Sequence, residues 1–198
     1  MLSSRLKPAV VGAITPISRA ALRLGLTPNG VSIVGAVGVI ASALYFYPQG
    51  NFFVGTIAIS IFALSDLFDG TMARLTESSG TAWGAFLDST LDRASDGAIF
   101  IGIALFFHNE DSILVYPTLL SLMFGFLIPY IRAKAESLQI ECSVGIAERT
   151  ERLIVILVAV GLDGLGVPYV LSGALWALVL LGMITIAQRV NVVRKALQ

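Results

Sequence analysis

Apolar residues along this chain run in tracts near 20 residues long, separated by short polar breaks. Tracts of that length match the hydrocarbon thickness of a bilayer. They predict six crossings, at about 30–47, 52–73, 82–107, 112–135, 153–162 and 169–190. Pro48-Gln49-Gly50 closes the first, and a turn at 76–81 separates the second from the third. His108-Asn109-Glu110-Asp111 ends the third, a polar connector at 136–152 follows the fourth, and a Gly/Pro turn at 164–168 precedes the sixth. The fifth tract is short and gains length if its helix begins near Glu148. Residues 1–25 differ, because apolar positions alternate there with Arg5, Lys7, Arg19 and Arg23. Such a basic amphipathic stretch lies in the headgroup plane. Pro8 and Pro16 interrupt it, and no apolar run ends at a cleavage site, so it does not read as a cleavable signal. The expected fold is all-α: a polytopic membrane protein with six transmembrane helices and an N-terminal amphipathic surface helix. Residues 1–25 form the juxtamembrane helix and 26–198 the six-helix domain.

Composition agrees with lipid as the solvent. Hydrophobic residues make up 56% of the chain and charged residues 13%, about half the charged share of a soluble domain. The single Cys142 excludes an internal disulfide and a cysteine metal cluster. Formal net charge is zero, which gives no expectation of a nucleic-acid partner. All 13 Lys and Arg fall in the N-terminal stretch, near 74–93, in or beside 132–152, or in the C-terminal tail. The opposite loops, near 48–51, 108–111 and 163–167, hold none and carry Glu110, Asp111 and Asp163. By the positive-inside rule both termini, the 74–81 turn and the 136–152 connector are cytoplasmic.

Acidic residues inside apolar helices cost on the order of 2.5–3.5 kcal/mol each at mid-helix, so several together demand a reason. Asp66 and Asp69 are three apart, and Asp88 and Asp92 four apart, so each pair shares a helix face. The pairs flank one cytoplasmic turn, and antiparallel helices bring them to similar depth. Four converging carboxylates repel one another unless cations sit between them, and all-oxygen ligation suits Mg²⁺ or Mn²⁺. Two such ions can clamp the attacking and leaving oxygens of a phosphoryl displacement. Gly70, Ala73, Gly80 and Gly84 strip bulk from this end of the bundle, and Arg74 can neutralise phosphate oxygens. Asp96, one turn beyond Asp92, fits support of the cluster as well as ligation. Two other readings stay open on spacing alone: a proton or ion pathway of a transporter, and a structural ion-pair net with Arg74 and Arg93. The cluster hugs one membrane face and no internal repeat is present, which favours an enzyme acting on lipid headgroups over a midplane transport site.

The run Asp66-x2-Asp69-Gly70-x2-Ala73-Arg74-x9-Gly84-x3-Asp88-x3-Asp92 resembles the full signature of the CDP-alcohol phosphotransferase family. Its eight fixed positions span 27 residues, and the six-helix plan extends the resemblance over nearly the whole chain. The resemblance implies that Asp66, Asp69, Asp88 and Asp92 hold two Mg²⁺ ions, with Mn²⁺ as a substitute, and that Asp92 is also the general base. It implies that Asn29, in Thr27-Pro28-Asn29, binds the CDP-lipid together with Gly70, Ala73 and Arg74. An acceptor hydroxyl then attacks the lipid-side phosphorus and CMP departs.

The second half bears on the acceptor. Arg132 and Lys134 end the fourth tract, Arg149 and Arg152 are co-facial at the start of the fifth, and Arg189 sits at the cytoplasmic end of the sixth. These basic groups share one membrane face and suit a phosphorylated acceptor, although juxtamembrane Lys and Arg also serve topology and anionic-lipid contact. Tyr130-Ile131-Arg132-Ala133-Lys134-Ala135-Glu136 with Glu148-Arg149-x2-Arg152-Leu153 is similar to the actinobacterial phosphatidylinositol phosphate synthase subfamily. That likeness implies CDP-diacylglycerol and inositol 1-phosphate as substrates, with Arg132, Lys134, Arg149, Arg152 and Arg189 as candidates for the acceptor phosphate. Glycerol 3-phosphate, the acceptor of a phosphatidylglycerophosphate synthase, needs a similar anion pocket and is the alternative. The resemblance further implies a homodimer among membrane lipids in the plasma membrane.

Overall fold

The computed structural model describes residues 14–76, 81–146 and 148–198. Every regular element among them is helical. Helix α1 covers 14–23, α2 Pro28–Phe46, α3 Phe52–Ala63, α4 Ser65–Leu75, α5 Ala82–Asn109, α6 Val115–Ser137, α7 Arg149–Asp163 and α8 Val170–Ala196. A 3-10 turn at Tyr47–Gln49 follows α2, and Gly50 ends it in the left-handed region, at φ 74°.

Local chemistry sets the ends. Thr27 Oγ1 accepts the Gly30 N–H at 3.1 Å, and Pro28 occupies the first helical position, where its missing N–H costs nothing. The expected second crossing is two helices, broken at Leu64. The fourth starts at Val115 rather than Ser112, because residues 111–114 turn first: Asp111 takes φ 50° and Ser112 Oγ accepts the Leu114 N–H. The fifth begins at Arg149, beside Glu148 as anticipated, and the sixth continues to Ala196.

Among the described residues, four segments are long and apolar enough to cross a membrane: Pro28–Gln49, Phe52–Leu75, Val115–Ser137 and Val170–Ala196. Six were expected. Helix α5 has the length, 28 residues, but the stretch up to its middle carries Asp88, Asp92, Arg93 and Asp96. Helix α7 has 15 residues and rises only about 22 Å, short of a hydrocarbon core of about 30 Å. Large apolar side chains such as Val34, Ile61, Ile154 and Leu180 face outward on the helices, as in a membrane protein. In α1, Ser18 is buried while Ile17 is exposed, as is Leu24 in the turn after it; the rest of the expected surface helix, 1–13, lies outside the described residues, as does Gly80.

Two compact units divide the chain, Met1–Ala41 with Ala58–Ser95, and Ser42–Ile57 with Asp96–Gln198. In the first, α2 meets the α3–α4 joint through glycines. A methyl on Gly35 would overlap Ser65 Oγ, and one on Gly38 would overlap the Phe62 ring. In the second, α6 and α7 pack on α8. Gly182 of α8 lets the Phe124 ring of α6 approach, and the Tyr47 hydroxyl bonds Thr56 Oγ1 at 2.9 Å in the buried interior.

Candidate active site

Within the first unit, two helices begin with the same device. Thr27 caps α2 at Gly30, and Thr81 caps α5 by accepting the Gly84 N–H at 3.0 Å. Asn29 Oδ1 lies 3.6 Å from where a Cβ on Gly84 would stand, so the missing side chain lets the two N-termini approach. Helix N-termini carry partial positive charge and unpaired N–H groups, an environment that suits phosphate.

Helix α4 carries Asp66, Asp69, Gly70, Ala73 and Arg74. Asp69 is buried. Its carboxylate accepts a short hydrogen bond from Ser32 Oγ of α2 and another from the Gly70 backbone N–H. Asp66, one turn earlier, and Asp88 of α5 both act on Asp69 by charge repulsion. Asp66 and Asp88 are exposed, and Asp92 is half-buried with Arg93 Nη1 at 3.8 Å. Among the described residues no three Asp, Glu, His or Cys side chains close into a ligand cage. The expected carboxylates thus stand as a loose set on two helices, three of them coupled electrostatically around buried Asp69.

The chemistry of these donors, carboxylates without an assembled cage, suits a divalent ion. Asp69 has no Lys or Arg partner among the described residues. Its hydroxyl and amide partners offset only part of the cost of burying a charge, and two like charges add to that cost. Oxygen donors alone suit a hard cation such as Mg²⁺ or Mn²⁺. Above this set the helix surface is open. No described atom lies within 4 Å of a Cβ placed on Gly70. Arg74 is exposed, with Nη2 donating to Thr71 Oγ1 at 3.2 Å, while the Thr71 hydroxyl donates to the Leu67 carbonyl at 2.8 Å.

The basic residues of the second unit are held in different ways. Arg132 is exposed, and its Nε pairs with Glu136 one turn on, at 2.8 Å. Lys134 is exposed on a shallow groove shared with Tyr130 and, from α8, Val190 and Arg194. Arg149 makes a two-point contact with Asp96, and Arg152 is buried. Arg189 is buried, with Nε donating to the Val144 carbonyl at 2.8 Å and Nη1 to the Ile128 carbonyl at 2.6 Å. Gly145, at φ 149°, sits against Thr185 and that guanidinium. Arg189 therefore ties the connector to α6 and α8, a role the sequence reading did not assign. Ser32 carries no sequence signature for its role: it meets Asp69 from 37 residues away.

The family model described as CDP-alcohol phosphatidyltransferase matches residues 25–186. Phosphatidylinositol phosphate synthase of Streptomyces avermitilis is 41% identical over 204 residues, covering 98% of this chain and 83% of the relative. The enzyme of that name from Cutibacterium acnes is 42% identical over 193 residues, covering 92% and 93%. Among solved structures, Mycobacterium tuberculosis phosphatidylinositol phosphate synthase in complex with manganese and citrate aligns with a TM-score of 0.86 at 40% identity, covering 91% of this chain and 88% of that one. The same enzyme with CDP-DAG bound gives 0.86 at 41% identity, covering 91% and 92%. With a signature on α4 and α5, a match over most of its length and relatives near 40% identity, the chain belongs to the CDP-alcohol phosphatidyltransferase family.

Proposed function

We propose that this protein transfers the phosphatidyl group of CDP-diacylglycerol to inositol 1-phosphate, yielding phosphatidylinositol phosphate and CMP. The observation that carries the reading is its likeness, at 41% identity and a TM-score of 0.86, to a phosphatidylinositol phosphate synthase with CDP-DAG bound. The converging N-termini of α2 and α5 suit the diphosphate, with Asn29, Gly70, Ala73 and Arg74 beside it. A groove of about 300 Å³ lined by Leu26, Gly30, Val31, Val34, Gly35 and Phe62 among others suits an acyl chain. Neither the family match nor the relatives support a transporter.

In this reading Asp66, Asp69, Asp88 and Asp92 hold two divalent ions. When bound, the ions supply positive charge that lowers the cost of the developing negative charge on the diphosphate. Ser32 fixes the Asp69 carboxylate, and Arg74 neutralises a phosphate oxygen. The Asp92 carboxylate takes the proton of the acceptor hydroxyl as that oxygen bonds to the lipid-side phosphorus. The bond from this phosphorus to the CMP oxygen breaks, and CMP leaves with its electron pair. Arg132, Lys134, Arg149, Arg152 and Arg189 contribute positive charge for the acceptor phosphate.

The membrane arrangement belongs to the same proposal. Residues 26–198 form one domain of six crossings in the plasma membrane, with termini and active site cytoplasmic and 1–25 on the surface. Helices α6 and α8 run parallel, since Phe124 meets Gly182 and Ile128 meets Arg189. That supports a return crossing by the short α7 between them. The working unit is a homodimer. In the deciding experiment, purified protein with CDP-diacylglycerol and Mg²⁺ or Mn²⁺ is offered inositol 1-phosphate, inositol and glycerol 3-phosphate in parallel. CMP release with the first alone is expected; release with glycerol 3-phosphate alone would reassign the acceptor.

A further inference from the structure

Asp96 stands one turn past Asp92 on α5, outside the family signature, and its carboxylate meets the first residue of α7. Arg149 Nε donates to Asp96 Oδ2 at 3.2 Å, and Arg149 Nη2 lies 3.2 Å from Asp96 Oδ1. Both side chains are largely shielded, at 26% and 15% exposure. One hydrogen bond to Oδ2 and one ion-pair contact to Oδ1, which takes no hydrogen bond, together restrict the orientation of the guanidinium more than a single contact does. A long arginine at a helix N-terminus otherwise samples many rotamers, and ordering it on ligand binding costs affinity.

We propose that Asp96 is a positioning residue for the acceptor. It holds the Arg149 guanidinium in one orientation before the phosphorylated alcohol arrives, so that binding does not have to order it. The inference rests on the acceptor reading of Arg149 given above. It assigns Asp96 to the acceptor side of the chemistry and away from the metal set, although Asp92 is its neighbour on the helix. Its partner explains the separation: a carboxylate whose two oxygens face a guanidinium has its charge balanced by the protein.

Steady-state CMP release separates the possibilities in the full-length protein, with inositol 1-phosphate, CDP-diacylglycerol and Mn²⁺ varied in turn. Asp96→Asn keeps the size and loses the charge. It should raise KM for inositol 1-phosphate about tenfold, the scale on which lost orienting contacts act. KM for CDP-diacylglycerol and the Mn²⁺ half-saturation should stay within about twofold. Asp96→Glu should recover most of the acceptor KM. In an Arg149→Gln background, Asp96→Asn should add nothing, because there is no guanidinium left to orient. A rise in the Mn²⁺ half-saturation of Asp96→Asn makes Asp96 part of the metal set and overturns the proposal. So does a fall in kcat at unchanged acceptor KM, or a full additional effect in the Arg149→Gln background. If Asp96→Asn does not fold, Asp96→Ser, which also removes the carboxylate, carries the test, and loss of acceptor affinity without change in melting temperature remains the expected result. An Arg149→Gln variant with unchanged acceptor KM instead removes the acceptor role of Arg149 itself. Absence of inositol 1-phosphate turnover in the parent protein removes the wider reading.

Discussion

Two glycines, Gly35 and Gly70, give opposite expectations for the same substitution. A Cβ on Gly35 would overlap Ser65 Oγ, stand 2.5 Å from Ser65 Cβ and 3.1 Å from the Phe62 carbonyl oxygen. The hydroxyl can rotate away, but Ser65 Cβ and the carbonyl are fixed by the backbone. Restoring normal contact of about 3.5 Å requires α2 to move off the α3–α4 joint by about 1 Å. Overpacking costs about 1–3 kcal/mol, and neighbours fixed by the backbone place this case in the upper part of the range, at about 2–3 kcal/mol. The gain from replacing a helical glycine by alanine, about 1 kcal/mol, offsets part of it. Gly35→Ala should therefore lose on the order of 1–2 kcal/mol of stability, and the shift of α2 should also draw Ser32 away from Asp69. Gly70→Ala meets no described atom within 4 Å and should keep or gain stability. The open space above Gly70 is where the proposed reading seats the CDP-lipid, so the same methyl should lower CMP release at least about tenfold, the equivalent of roughly 1.4 kcal/mol. Thermal unfolding in detergent and CMP release, measured on both variants, give the answer. A Gly35→Ala protein as stable as the parent refutes the packing argument, and a stable Gly70→Ala protein with full activity refutes the placement of substrate over that helix.

Removing the Ser32 hydroxyl (Ser32→Ala) takes a hydrogen bond from a buried carboxylate, a contribution of about 1.5–3 kcal/mol. CMP release at sub-saturating Mn²⁺ should fall about tenfold or more and recover in part as the metal is raised; an unchanged Mn²⁺ titration would count against the hydroxyl as an organiser of Asp69. Chelation by EDTA should abolish turnover, with Mg²⁺ or Mn²⁺ restoring it, and persistence of activity in EDTA would remove the metal from the reaction. Asp92→Asn should abolish turnover while size-exclusion elution stays unchanged, and near-normal CMP release from it would move the base elsewhere. Arg189→Met leaves the Val144 and Ile128 carbonyls without their donor, at a cost of about 1–3 kcal/mol each. A lower melting temperature and faster proteolysis within 139–146 should follow, and an unaltered digestion pattern would dissociate Arg189 from the connector.

Local spacing made the acidic pairs legible, because positions three and four apart on a helix must share a face whatever packs around them. Helix α2 starts two residues before the expected 30, because Thr27 caps it and Pro28 takes its first position. The break at Leu64 was not legible: neither Gly nor Pro marks it, and an unbroken apolar run predicts one helix. The membrane count was legible only in part, because the charges of α5 and the shortness of α7 weaken the apolar signal that defines a crossing. Long-range partners were invisible in principle. Ser32 finds Asp69 across 37 residues and Arg149 finds Asp96 across 53, through helix packing that no local pattern encodes. Juxtamembrane arginines read alike in sequence, whereas Arg189 is a buried latch and Arg132 an exposed pair.

The five aspartates of α4 and α5 differ in how their charge is balanced, and the balance sorts them where spacing does not. Asp96 faces a guanidinium with both oxygens, so its charge is met from within the chain. Asp92 has Arg93 at 3.8 Å, a distance at which attraction remains but no hydrogen bond forms. Asp69 is buried, bonded to a hydroxyl and an amide, and repelled by Asp66 and Asp88. A carboxylate in that position is costly in any medium of low dielectric unless positive charge comes from outside. The demand for an external cation is therefore greatest at Asp69 and least at Asp96, only 27 residues later along the chain. A membrane helix that tolerates this imbalance at its end gains nothing from it as packing alone. The imbalance makes physical sense if Asp69 works with a divalent cation, as the proposed function requires.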